Sequence, residues 1–154
     1  MITTRNVCPE DGPFLLRLFV ESRRDEFTSL GWPEEQLEPF LRLQYQLQQR
    51  SYLTQYPRAK HQIIVWKDRP VGQMLTACLQ DEWRLIDISV LPENRGQGIG
   101  TSVLRELQNQ AFQAEKPLRL NVIHHNTARR LYERLGFRLV ADLNPYVAME
   151  WSGG

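Results

Sequence analysis

With 154 residues the chain has room for one ordinary domain, and its 42% hydrophobic, 24% charged and 10% aromatic shares exclude wholesale disorder. A balance of 19 Lys and Arg against 18 Asp and Glu leaves a net charge of +1, so no global field draws it to nucleic acid or anionic lipid, and any anion site is local. Cys8 and Cys78 form no CxxC pair and have only His61, His124 and His125 beside them, so no metal site is expected. Free thiols, no signal-peptide flanks around residues 14–20 and no apolar run of membrane length lead to the expectation of a cytoplasmic protein with no membrane partner.

In chain order, residues 2–7 alternate weakly and read as a strand. Cys8-Pro9-Glu10-Asp11 then marks the first turn of a helix through about Arg24. Pro33 opens a second helix in which Leu37, Phe40, Leu41, Tyr45 and Leu47 recur near helical spacing, running to about Gln55. Residues 62–66 and 71–79 read as strands joined by a hairpin turn at Lys67-Asp68-Arg69-Pro70, and residues 83–91 as another strand. After a glycine loop come a helix at 98–114, a strand at 118–123 and a short helix at 127–135 stopped by Gly136. Strands at 137–141 and 146–151 close the pattern. A hairpin-rich run followed by alternation with helices predicts a mixed α/β (α+β) class: one domain over residues 1–151 with a largely antiparallel twisted sheet flanked by helices, then a flexible tail at 152–154.

The informative segment is Val90-Leu91-Pro92-Glu93-Asn94-Arg95-Gly96-Gln97-Gly98-Ile99-Gly100-Thr101, between a strand and an amphipathic helix. Glycines remove side chains so that backbone N–H groups can converge on an anion, and the following helix adds unsatisfied donors and the positive end of its dipole. Arg95 can add a charge-assisted contact. A P-loop needs Lys-Ser/Thr after its last glycine, where this chain has Thr101-Ser102. A dinucleotide fingerprint counted from Gly96 needs glycine at Thr101. The alternative for the loop alone is a glycine turn that simply reverses the chain.

The loop Arg95-Gly96-Gln97-Gly98-Ile99-Gly100 follows Ile88-Ser89-Val90-Leu91-Pro92. It precedes Asn126-Thr127-Ala128-Arg129-Arg130-Leu131-Tyr132-Glu133-Arg134-Leu135-Gly136-Phe137. Together, over residues 87–137, these segments resemble the GNAT superfamily of acyl-CoA-dependent N-acetyltransferases. The resemblance implies a sheet with splayed central strands holding acetyl-CoA as co-substrate. It implies that the backbone of Ile88 and Val90 bonds the pantetheine arm, and that Arg95, Gly96, Gln97, Gly98, Ile99, Gly100 and Thr101 wrap the diphosphate. Asn126 is implied beside the cofactor arm and Tyr132 as the general acid that protonates the departing thiolate; the competing role for Tyr132 is packing beside Phe137. The implied activity is acetyl transfer to a primary amine of a small molecule or peptide, with a homodimer left open. The alternative is a CoA-binding sensor or partner module without catalysis.

An alkylammonium, with pKa about 10.4, must lose a proton before it can attack a thioester. Where related N-terminal acetyltransferases often carry a glutamate, this chain has Asn121, so the candidate bases are Asp87, on a strand face with Leu85 and Ser89, together with Glu82 and His124. From 117 to 141 the charged residues are Arg119, Arg129, Arg130, Arg134 and Arg138 against Glu133 and nothing else acidic. Arg129 is the candidate for the third CoA phosphate, against a plain helix-surface pairing with Glu133. Nucleic-acid binding by this patch is the weaker reading. Trp32, Gln44, Tyr45, Gln48, Tyr52 and Tyr56 are candidates for an acceptor pocket.

Overall fold

Ile2, Thr3 and Thr4 give the N-terminus its extended preference, and β1 (Ile2–Asn6) pairs antiparallel with β2 (Lys60–Trp66), Ile2 opposite Trp66 and Asn6 opposite Gln62. The computed structural model describes residues 1–124 and 126–153; His125 and the last residue of the expected tail, Gly154, lie outside the described residues. The chain divides into two compact units, Met1–Leu75 with Asp87–Gln97, and Thr76–Ile86 with Gly98–Gly154.

In the first unit a 3₁₀ turn, Pro9–Asp11, leads into α1 (Gly12–Thr28). Asp11 holds this entry: its carboxylate accepts two bonds of 2.8 Å from the Arg5 guanidinium and one of 2.9 Å from the Cys8 N–H. The pairing keeps the Asp11 carboxyl well below the usual carboxylate range. α1 continues past the expected end near Arg24 because no breaker intervenes before Gly31, whose φ of +82° lets the chain turn out of the helix. α2 (Glu34–Gln55) follows Pro33, and Phe19, Val20, Leu37 and Leu41 form the buried seam with α1. β3 (Arg69–Cys78) follows β2 through Lys67 and Asp68 alone, both at positive φ (53° and 61°). The expected four-residue turn is therefore a two-residue one. Left-handed residues at both positions match the twist of the flanking strands, so Arg69 and Pro70 already belong to β3.

β4 (Trp83–Val90) carries the site residues discussed below. The second unit adds α3 (Ile99–Gln113), β5 (Leu118–Ile123), α4 (Ala128–Arg134), β6 (Arg138–Leu143) and β7 (Tyr146–Trp151). α3 buries Ile99, Val103, Leu104, Leu107 and Ala111 along one stripe. β5 buries Leu118, Leu120 and Val122 at period two and pairs antiparallel with β7, from Leu118 opposite Trp151 to Ile123 opposite Tyr146. Phe137 precedes β6 instead of starting it: its N–H donates to the Tyr132 carbonyl (3.0 Å) and its ring is buried. Ser152 and Gly153, from the expected tail, lie against Phe112 in a shallow surface depression.

Among the described residues the strands form a seven-stranded mixed sheet in the order β1-β2-β3-β4-β5-β7-β6. The parallel ladder of β4 with β5 joins Trp83 to Leu118, Arg84 to Arg119 and Leu85 to Leu120. Both strands continue beyond it, to Val90 and to Ile123.

Candidate active site

The first unit contains a narrow polar pocket built from five elements. α1 contributes Leu15, Phe19 and Arg23, spaced i, i+4, i+8 so that they share a face, and α2 contributes Tyr45, Gln48 and Gln49. The strands add His61, Gln73, Asp87 and Ser89. The free volume is about 20 Å³, room for about one water molecule. Asp87 and Ser89 share a strand face as period-two alternation predicts, and one group grips both: Gln73 Nε2 donates to Asp87 Oδ2 (2.9 Å) and to Ser89 Oγ (2.9 Å). Gln73 Oε1 lies 2.8 Å from His61 Nε2. Because a carbonyl oxygen only accepts, His61 carries its proton on Nε2 in this contact.

Asp87 keeps part of its surface open to the pocket, yet the surrounding walls strip it of water, and this desolvation raises its pKa above the ordinary aspartate value. Attraction to Arg23, the bond from Gln73, attraction to His61 and the Ile88 N–H oppose the rise without cancelling it. A carboxylate with a raised pKa, held by a neutral donor and facing a cavity, is suited to accept a proton. The other two candidate bases are committed elsewhere. Glu82 bonds Arg84 (2.8 Å) and Arg119 (3.4 Å), and His124 Nε2 lies 2.9 Å from Asp142. Asn121 is exposed in the middle of the β5–β7 ladder, opposite Ala148.

Of the expected acceptor residues, Tyr45 and Gln48 line this pocket; burial raises the Tyr45 hydroxyl pKa, and its ring meets Phe19 edge-on at 5.2 Å. Trp32 instead packs with Phe27 and Phe40, and Tyr56 accepts a bond from Gln55. Sequence reasoning missed Gln73, Arg23 and the pairing role of His61. The available signal was Gln73 itself, an amide inside the apolar run Val71 to Ala77, which β3 buries without interruption.

The glycine loop begins with a 3₁₀ turn, Pro92–Asn94, and its path requires glycine twice, at Gly96 (φ +76°) and Gly98 (φ +80°). Gly98 is the N-cap of α3 and supplies no side-chain cap, so the first N–H groups of the helix, at Ile99, Gly100 and Thr101, are left to an external acceptor. Gly96, Gln97 and Gly98 are exposed while Ile99 anchors the helix start in the core. Arg95 is exposed, with Nε donating to the Val90 carbonyl at 3.2 Å. This contact and the bond between Ile88 N–H and Asp87 occupy two of the backbone groups expected to meet the pantetheine arm.

In the second unit Tyr132 is buried on α4 and tilted against Phe137, ring centroids 5.6 Å apart, so the packing role is real. Asn126 Oδ1 accepts from the Ala128 N–H (2.9 Å) in the turn that leads into α4, and Arg129 pairs with Glu133 (3.2 Å). Three of the five arginines of the basic patch are thus held by carboxylates, since Arg119 and Arg138 both meet Glu150. Among the described residues no group of three or more His, Cys, Asp and Glu could hold a metal ion, and no helix is long and apolar enough to cross a membrane.

No curated protein matches the sequence significantly. Solved structures do share the fold. The PaiA N-acetyltransferase of Thermoplasma acidophilum in complex with coenzyme A superposes with a TM-score of 0.76 at 19% identity, covering 99% of each chain. An acetyltransferase of Thermus thermophilus gives 0.72 at 23% identity over 99% of this chain and 97% of the other. The Campylobacter jejuni N-acetyltransferase PseH in complex with acetyl coenzyme A gives 0.64 at 15% identity over 100% of both. A family model described as an acetyltransferase (GNAT) domain matches residues 59–139, more than half of the sequence, with the Asp87 strand, the glycine loop and Tyr132 inside the match; the chain belongs to the GNAT acetyltransferases.

Proposed function

We propose that the protein is an N-acetyltransferase that moves the acetyl group of acetyl-CoA to a primary amine, with Asp87 as the general base and Tyr132 as the general acid. The observation that carries the proposal is the Asp87 carboxyl, raised in pKa by desolvation and aimed by Gln73 into a pocket, in a chain of this family. The loop from Arg95 to Thr101 supplies the donors for the diphosphate. Asn126 and Arg129 serve the cofactor side, Arg129 exchanging Glu133 for a phosphate.

The substrate ammonium gives one proton to Asp87. The freed lone pair forms a bond to the thioester carbonyl carbon, and the C–S bond breaks with its electron pair on sulfur. The Tyr132 hydroxyl protonates that thiolate, and the second proton lost by the nitrogen restores the tyrosine through solvent. Acetamide, CoA thiol and one proton, later released from Asp87, balance the reaction. Exposed, unbridged Cys8 and Cys78 fit work in a reducing cytoplasm.

The test is release of free thiol from acetyl-CoA in the presence of a panel of amines, amino acids and peptides. Transfer that falls by about 10²- to 10⁴-fold in Asp87→Asn is the expected result. Tight acetyl-CoA binding with no transfer to any member would replace this reading with a CoA-binding sensor.

A further inference from the structure

Arg23 stands out among the described charged side chains of α1. Arg17 pairs with Glu21 and Glu93, and Arg24 with Glu34. Arg23, half-buried, makes neither an ion pair nor a hydrogen bond among the described residues. Instead its guanidinium carbon lies 3.8 Å from the centroid of the Phe19 ring, and it lines the same pocket as Asp87. Stacking on an aromatic face holds the guanidinium plane while leaving its N–H fork directed elsewhere. The pocket thus presents a cation and an anion that face one small cavity without pairing to each other, with Gln48, Gln49 and Tyr45 adding neutral donors and acceptors.

We propose that this pocket takes a free α-amino acid as the acceptor, Asp87 receiving its ammonium and Arg23 its carboxylate. The inference rests on the N-acetyltransferase reading and names its substrate class. A zwitterion fills both charged positions at once. A simple alkylamine leaves Arg23 half-buried without an acceptor, and a peptide N-terminus offers it a neutral carbonyl where a carboxylate bonds more strongly. The free volume is about 20 Å³, so the ligand is compact and enters as the Gln48 and Gln49 side chains move aside.

The experiment is calorimetric titration of the standard L-amino acids, and of the α-carboxamide of each, into the protein with and without coenzyme A. At least one amino acid is expected to bind roughly 10- to 100-fold more tightly than its carboxamide, the range for a hydrogen bond to a charged group. That preference should fall below about threefold in Arg23→Gln and be partly kept in Arg23→Lys, as expected for a single cationic contact. Binding by no amino acid, equal binding of acid and carboxamide to the unaltered protein, or a preference that survives in Arg23→Gln overturns the inference. The acid–carboxamide comparison on the unaltered protein decides the matter even if a variant folds poorly. Failure of the underlying reading looks different: an amino acid binds with the expected preference, yet releases no thiol from acetyl-CoA.

Discussion

Gln73 holds Asp87 by a single amide N–H···carboxylate bond of 2.9 Å, and the same amide nitrogen reaches Ser89. The bond favours the charged carboxylate and so works against the desolvation that raises its pKa. Gln73→Leu keeps a similar volume and removes the donor. A bond to a charged group contributes about 1.5–3 kcal/mol, which corresponds to roughly one to two pH units. The acid limb of the kcat/KM profile should therefore move up by about that amount, while acetyl-CoA affinity is retained. A pH–rate profile identical to that of the unaltered enzyme would detach Gln73 from the base.

Asp87 also leaves a signature in stability. Its folded pKa is raised, so the native state holds this proton more tightly than the unfolded chain does. The associated stabilisation is present below the ordinary aspartate value, about 3.9, and is lost as pH rises through the folded value. Asp87→Asn has no such dependence. Denaturant midpoints measured across that window should show the unaltered protein losing ground to the variant as pH increases, in parallel with its gain of activity.

Two glycines should respond to substitution for different reasons. A Cβ at Gly98 meets nothing within 4 Å, so Gly98→Val costs backbone strain, about 1–2 kcal/mol for a left-handed residue, and places a branched side chain in the loop proposed to hold the diphosphate. A modest drop in melting temperature with a large loss of acetyl-CoA affinity is expected. Gly72 sits where β3 approaches β4 so closely that a Cβ would overlap the Ser89 carbonyl oxygen. Gly72→Ala should cost about 1–3 kcal/mol through displaced backbone and disturb the Ser89–Asp87 strand, lowering both stability and turnover. Thermal melts with acetyl-CoA titrations separate the two patterns.

Tyr132→Phe preserves the ring that packs on Phe137 and deletes the proposed proton donor. Turnover should drop by about 10²- to 10⁴-fold with little change in acetyl-CoA affinity. A thiol has a pKa of about 8.5, so the deficit should narrow at alkaline pH, where the thiolate leaves unprotonated. Equal turnover of the two proteins from neutral to alkaline pH would reduce Tyr132 to a packing residue.

Features that depend on neighbours in sequence were legible in the sequence itself. The β5 and β7 spans follow from their apolar alternation, the start of α3 from Gly98 before an amphipathic run, and the path of the glycine loop from glycines whose positive φ only they adopt readily. Even there, local signals misjudged how little chain a reversal needs at Lys67-Asp68, and how far α1 runs without a breaker. The proposed choice of base was not legible. Asp87, Glu82 and His124 can each accept a proton, and what separates them is long-range contact: Glu82 and His124 meet partners brought in by other strands, while Asp87 meets Gln73 and an open pocket. Arg23 likewise acquires meaning only when α1 sets it beside a strand carboxylate distant in the chain. Backbone conformation is governed by nearest neighbours and so is written into short stretches of sequence, whereas desolvation and charge pairing depend on which surfaces folding brings together, and these only the tertiary structure decides.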